Sequence, residues 1–244
     1  MRTINFIFCA VSAVGILLYA NISFSEPTVL ACSGDVKIVR SDSVTGYACE
    51  PKMVLKTGDW ITTSGGAYVE ISFDSTGKNI SKLEENTLVV LKNTSSEKLE
   101  LFDGQVVTSL QGMNGTDTFT IKCPAGLCTA MGTGWSVSTD GVDSDIKVFD
   151  SKVYFRSINK TGTVSNEKIW IEQGYSRKIR QYETPQEMVQ LSSSDLENLK
   201  NALNVSSSSL SGGSDSGASG IVEVGGVGMN VGSAGLSTGE ASSR

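Results

Sequence analysis

The chain has 244 residues, with 20 basic and 26 acidic side chains and a formal net charge of −6. This balance argues against nucleic acid as a partner, because proteins that bind phosphate backbones carry a basic face. Histidine is absent, which excludes Ser-His-Asp and Cys-His catalysis and every histidine metal site. No other pattern indicates a catalytic residue, a cofactor or a bound metal, so the sequence predicts a non-enzymatic protein.

The first 25 residues are typical of an export signal. Arg2 precedes an apolar run, Ile4–Ala20, that is shorter than the ~20 residues needed to span a bilayer core. Small residues in Ser23–Ser25 favour cleavage before Glu26, which would leave no membrane span; a retained anchor is the alternative. The sequence therefore predicts a signal peptide over residues 1–25 and a periplasmic or secreted protein.

Four cysteines follow the leader, namely Cys32, Cys49, Cys123 and Cys128. An even number in an exported chain indicates disulfides, and the spacing favours the local pairs Cys32–Cys49 and Cys123–Cys128 over the two other connectivities. A four-thiolate metal site is the alternative. It is disfavoured because structural zinc sites place paired cysteines closer together than Cys32 and Cys49.

Residues 26–182 contain short strand patterns separated by turn signals. Ala67–Phe73 alternates most clearly, with Val69 and Ile71 on one face and Glu70 on the other. An Asp103-Gly104 hairpin signal separates Lys98–Phe102 from Gln105–Leu110. Repeated short strands of this kind predict an all-β sandwich, barrel or solenoid.

The stretch Phe119–Thr139 is the predicted structural centre. Two extended segments, Phe119–Lys122 and Trp135–Thr139, flank a tight turn that contains both Cys123 and Cys128. We expect these two cysteines to be bonded, with Trp135 buried beneath the bridge.

Two further groups of side chains have alternative interpretations. Trp60, Trp135 and Trp170 could stack on sugars if exposed, but each belongs to an alternating strand, which favours core packing. Asp140, Asp143 and Asp145 could bind calcium, but their spacing favours solvated turn residues.

The chain changes character after Tyr182. Thr184–Glu187 resembles a helix N-cap with a capping box, and Ser194–Glu197 could begin a second helix with an apolar face formed by Leu196, Leu199, Ala202 and Leu203. The predicted helical segment covers residues 183–204. Residues 205–244 are rich in serine and glycine and are predicted to be a disordered tail.

The segment Gly34–Arg180 resembles the FecR domain, the extracytoplasmic module of bacterial ferric-citrate-type regulators and of many envelope proteins. Five motifs carry the resemblance in order: Leu55–Thr63 with Gly58 and Asp59, the strand Ala67–Phe73, Leu101–Val106 with Gly104, Phe119–Val137 with Pro124, Gly132, Thr133 and Trp135, and Ile171–Tyr175 with Gly174.

This resemblance implies an all-β domain of short stacked strands, solenoid-like or sandwich-like. With only Met1–Thr3 before the apolar run, we expect a freestanding secreted version. Its expected function is a binding or scaffolding module of the cell envelope that recognises a protein or glycan. The alternative is a signal-transducing component that works with a separate membrane or sigma-factor partner.

Overall fold

The computed structural model describes residues 26–94, 96–113 and 117–210. The predicted signal peptide and the tail beyond residue 210 lie outside these residues. The described part contains sixteen strands and one helix. Their bounds are β1 Thr28–Ser33, β2 Val36–Val39, β3 Gly46–Ala48, β4 Trp60–Thr63, β5 Tyr68–Ser72, β6 Asn79–Leu83, β7 Leu88–Leu91, β8 Glu97–Leu110, β9 Phe119–Cys123, β10 Gly126–Ala130, β11 Gly134–Thr139, β12 Asp143–Asp150, β13 Lys152–Ser157, β14 Ile169–Glu172, β15 Tyr175–Arg180, β16 Val189–Gln190 and α1 Ser193–Leu210.

The strands form two open sheets that stack face to face and share β8. Sheet A has the order β1-β5-β6-β8-β11-β12-β15-β16, and sheet B has the order β3-β2-β4-β7-β8-β9-β10-β13-β14. Every strand pair is antiparallel except β8 with β9. The prediction of an all-β, sandwich-like domain with a C-terminal helix is therefore confirmed. Within the described residues, the helix is not long and apolar enough to cross a membrane.

The inward faces of both sheets form one apolar core. Alternation places Val69 and Ile71 of β5 on the inward face, as the sequence predicts, and both are fully buried. Phe119 of β9 packs edge-on against Trp135 of β11, with ring centroids 5.8 Å apart. Aromatic contacts of this geometry add to the stabilisation from burial. Trp135 is completely buried, as predicted.

Strand β8 passes from one sheet to the other without reversing. Its first half pairs with β7 and β9 in sheet B, and its second half pairs with β6 and β11 in sheet A. The bend lies at Gly104, which has a φ of +88°. A Cβ atom on Gly104 would lie 2.5 Å from the Cα of Thr87 and 2.6 Å from the carbonyl oxygen of Asn86. The predicted Asp103-Gly104 hairpin is therefore wrong: glycine here permits a bend and a close backbone approach, not a turn.

Other connections between the sheets share this backbone feature. Residues with positive φ stand at Gly34, Gly66, Asn86, Gly132, Ser151 and Gly174, each between a strand of one sheet and a strand of the other. The chain thus crosses repeatedly between the two layers, and the glycines of the resembled motifs mark several of these crossings.

The turn in the predicted centre is shorter than expected. Cys123 and Gly126 are register partners, so only Pro124 and Ala125 connect β9 to β10. Cys128 lies within β10 and not in the turn, because the chain is already extended from Gly126 onward.

The C-terminal segment contains one helix, where the sequence predicts two. Thr184 does not cap a helix, because the segment after it lies beside β15: the Gln186 N–H donates to the Lys178 carbonyl over 2.9 Å. The N-cap is Ser192, whose Oγ accepts the Asp195 N–H over 3.1 Å. Helix α1 continues to Leu210, beyond the predicted end at Asn204. Its predicted apolar face packs on Val107 and Phe149 of sheet A, through Leu196, Leu199, Ala202 and Leu203.

Candidate functional site on the outer face of sheet B

The motif residues Gly58 and Asp59 form a structural connection before β4. Gly58 has a φ of +90°, and its N–H donates to the Leu91 carbonyl over 2.7 Å. Asp59 is fully buried; its Oδ2 accepts the Lys56 N–H over 2.8 Å and a short bond from the Arg40 guanidinium. A buried carboxylate held in this way fixes the loop to β2 and β7.

The motif residues Gly132 and Thr133 fix the start of β11. Thr133 is buried, its hydroxyl donates a short hydrogen bond to the Asp150 carbonyl, and its own carbonyl accepts the Leu110 N–H over 3.0 Å. Together with Gly132, Thr133 therefore joins β8, β11 and β12 at one end of the sandwich. These contacts explain the motif by packing and backbone hydrogen bonding.

All four described cysteines are unbonded in this structure. Burial and the hydrogen bond that the Cys49 thiol donates to Cys32 raise the pKa of Cys49. Burial also raises the pKa of Cys123 and Cys128, and Cys123 adds to the effect at Cys128. The members of each predicted pair thus lie close enough to interact, and the pairing stays a prediction. Cys123 and Cys128, as fully buried thiols with raised pKa values, are poor nucleophiles.

The three aspartates considered for calcium have separate roles. Asp140 accepts the backbone N–H groups of Val142 and Asp143 over 3.0 and 2.7 Å. Asp143 accepts two bonds from Arg180, over 2.8 and 3.1 Å. Burial raises the pKa of Asp145, while Lys147 and Lys178 oppose that shift. No cluster of three or more His, Cys, Asp or Glu side chains suited to a metal occurs among residues 26–94, 96–113 and 117–210.

Two of the three tryptophans are exposed, so the prediction that they pack in the core is wrong for Trp60 and Trp170. They are 40% and 42% exposed and both point outward from sheet B. Trp60 stacks on Phe102 with ring centroids 5.2 Å apart. Alternation within β4 assigns Ile61 to the core, which leaves Trp60 on the opposite face.

A row of side chains crosses this outer face between the tryptophans. The Glu100 carboxylate forms two ion pairs, with its Oε2 2.6 Å from Lys92 Nζ and its Oε1 2.7 Å from Lys122 Nζ. Burial opposes ionisation of Glu100, but the hydrogen bonds from Lys122 and Lys92 outweigh it and lower the pKa. Glu100 therefore stays charged near neutral pH, and its two lysines are already paired.

At the far edge of sheet B, two aromatic and three cationic side chains form what we call the aromatic–cation platform: Tyr154, Trp170, Lys152, Arg156 and Lys168. The Tyr154 and Trp170 rings meet at 5.3 Å with an interplanar angle of 62°. Lys152 Nζ lies 4.8 Å from the Trp170 centroid, and Lys168 Nζ lies 4.6 Å from the Tyr154 centroid. Sequence reasoning considered Trp170 and missed the other four. The period-two spacing of Lys152, Tyr154 and Arg156 was the available signal.

The platform adjoins a cleft with a volume of about 730 Å³. Lys168 and Trp170 form one wall of the cleft, and Tyr182 and Pro185 form the opposite wall. Strand β14 pairs only with β13, so its other edge opens into this cleft. An exposed strand edge beside exposed aromatic rings is suited to binding.

Fold and site together define an all-β sandwich with an accessible aromatic face. Residues 59–154 match the sequence model of the family described as FecR protein. Over these residues the chain is similar to FecR proteins, and the resemblance inferred from the motifs is confirmed there. No curated protein matches the chain.

Two crystal structures of a candidate anti-sigma factor from Parabacteroides distasonis ATCC 8503, at 1.65 and 2.50 Å resolution, are similar to this chain. Each aligns with a TM-score of 0.44 and 10% identity, over 57% of this chain and 62% of that one. The aligned region thus spans less than two thirds of the protein from Parabacteroides.

Proposed function

We propose that the protein is a non-enzymatic, extracytoplasmic component of a FecR-type cell-surface signalling system that works with a separate membrane or sigma-factor partner. The observation that carries the proposal is the FecR-family match over residues 59–154. The export signal predicted over residues 1–25 supports the location. The exposed face of sheet B, with Trp60 and Trp170, provides a surface for recognition.

The test is a deletion of the gene in the source organism, followed by transcript sequencing under conditions in which the protein is made. A signalling component should alter a limited set of transcripts, and the full chain should restore them. Residues 26–244, expressed without the leader, form the matched control and should fail to restore them because they stay in the cytoplasm. An unchanged transcriptome, or full rescue by the leaderless chain, would contradict the proposal.

A second candidate function is a binding or scaffolding module of the envelope with no transcriptional output. The observation in its favour is the exposed aromatic surface at both ends of sheet B, because isolated monomers seldom leave such rings uncovered without a binding role. Ligand binding together with an unchanged transcriptome would support this second function.

A further inference from the structure

The aromatic–cation platform carries positive charge that the protein itself leaves unpaired. Among the described residues, Lys152, Arg156 and Lys168 form no ion pair, although seven ion pairs occur elsewhere, including both lysines that contact Glu100. In a chain with a net charge of −6, three unpaired cations on one side of one sheet form a distinct local environment.

Arg156 gives the clearest sign of a missing partner. Its Nε is buried and has no hydrogen-bond acceptor. It lies between Leu127, its register partner on β10, and the start of β14, where Lys168 precedes Ile169. A guanidinium normally satisfies its N–H groups with a carboxylate or carbonyl, and the part of the Arg156 side chain that is not buried can pair with an incoming anion.

The two lysines already rest on the aromatic rings. A cation over an exposed ring gains only modest stabilisation, and a carboxylate is the stronger partner. A ligand carboxylate can therefore draw Lys152 or Lys168 away and free the ring face beneath it. The acidic residues beside the platform are Glu172, opposite Lys152 in the register, Glu167, beside Lys168, and Glu183, which lines the adjoining cleft; all three are exposed.

From this arrangement we infer that the platform binds an acidic polysaccharide, with sugar rings stacked on Trp170 and Tyr154 and sugar carboxylates paired with Arg156, Lys152 and Lys168. The adjoining cleft favours a glycan over an acidic peptide. Asn159 and Ser165 line it; the Asn159 Oδ1 and the Ser165 Oγ accept hydrogen bonds within their own loop, and the Asn159 amide N–H and the Ser165 hydroxyl can still donate to sugar hydroxyl groups. The inference goes beyond the proposed signalling function and does not depend on it.

The experiment measures binding of polygalacturonate to the purified chain by biolayer interferometry, with dextran as the neutral glycan and poly-L-glutamate as the acidic peptide. We expect polygalacturonate alone to bind. Trp170→Ala and Arg156→Gln should each weaken binding about tenfold, because each variant loses one stacking contact or one hydrogen bond to a charged group. Lys168→Gln, at an exposed position that folding tolerates, provides an independent variant should Arg156→Gln unfold.

Two matched controls lie at the other end of sheet B. Tyr47→Ala removes an exposed aromatic residue, and Lys37→Gln removes an exposed lysine; neither should change binding more than about twofold. If dextran bound as strongly as polygalacturonate, the cations would not take part in binding and the inference would be wrong. Equal binding of poly-L-glutamate would show simple polyanion attraction, and an unaffected Trp170→Ala variant or no binding to polygalacturonate would overturn the inference outright. None of these results bears on the transcript test of signalling.

Discussion

Replacing Glu70 with glutamine should remove a large pH dependence from the stability of this protein. Alternation assigns Glu70 to the polar face of β5, yet its side chain is fully buried and both carboxylate oxygens lack a hydrogen-bond partner. Burial raises the pKa of Glu70 from 4.5 to about 7; the nearby Lys82 partly offsets this rise, and Glu84 adds to it. The carboxyl therefore favours the protonated form when the protein is folded.

Proton linkage gives the sign and the size of the pH dependence of the free energy of unfolding. Between pH 4.5 and about 7, the folded protein holds a proton on Glu70 that the unfolded chain has released. The free energy of unfolding consequently falls as the pH rises through this window and levels off above it. A shift of this size corresponds to roughly 3 kcal/mol between the two ends of the window.

The assay is urea unfolding of wild type and Glu70→Gln at pH 5, 6, 7 and 8, followed by tryptophan fluorescence. The quantity compared is the change in unfolding free energy between pH 5 and pH 8, because the cost of burying the glutamine amide then cancels. Wild type should lose about 2–3 kcal/mol more than the variant. Glu187→Gln, at an exposed position, should behave like wild type. Parallel curves for wild type and Glu70→Gln would refute the reasoning.

Three more predictions concern the sandwich itself. Trp135→Ala should lower the free energy of unfolding by about 3–5 kcal/mol, measured by urea unfolding, because it leaves a cavity in a fully buried site; a loss below 1 kcal/mol would contradict the packing. In the same assay Gly104→Ala should cost at least about 3 kcal/mol, whereas Gly66→Ala, which also has positive φ but has nothing within 4 Å of a new Cβ, should cost about 1–2 kcal/mol. Peptide mapping without reductant should link Cys123 to Cys128, and their joint replacement by serine should cost about 2 kcal/mol; a peptide joining either to another cysteine would refute the pairing.

Much of the fold could be predicted because alternation depends on local sequence. Val69 and Ile71 face the core as predicted, and the strands of the central stretch begin at Phe119 and close to Trp135. The sequence predicts a hairpin at Gly104, not the observed bend, because a glycine with positive φ serves both a hairpin and a bend within a strand. Only the distant partners of β8, which belong to both sheets, distinguish the two outcomes.

Thr184 shows a similar limit near the C-terminus. A capping box and a proline are local signals for a helix, but the backbone of this segment hydrogen-bonds to β15. Tertiary contact outweighed propensity there. Ser192, in a plainer serine-rich sequence, caps the helix that forms.

The candidate site lies on the outer face of a sheet, and the alternation of residues along a strand does not identify that face. A period of two separates the faces of a strand, but it does not state which face is covered by the second sheet. Trp60 and Trp170 were assigned inward because tryptophan is usually buried, while their smaller apolar neighbours Ile61 and Ile171 fill the core instead. When the aliphatic residue takes the inward position, the adjacent aromatic residue faces outward and is available to solvent or to a ligand. Cationic residues two positions away along the strand lie on the same face as the exposed ring and favour an anionic ligand there. Such a pair of signals, read together along β13 and β14, would have indicated the platform from sequence.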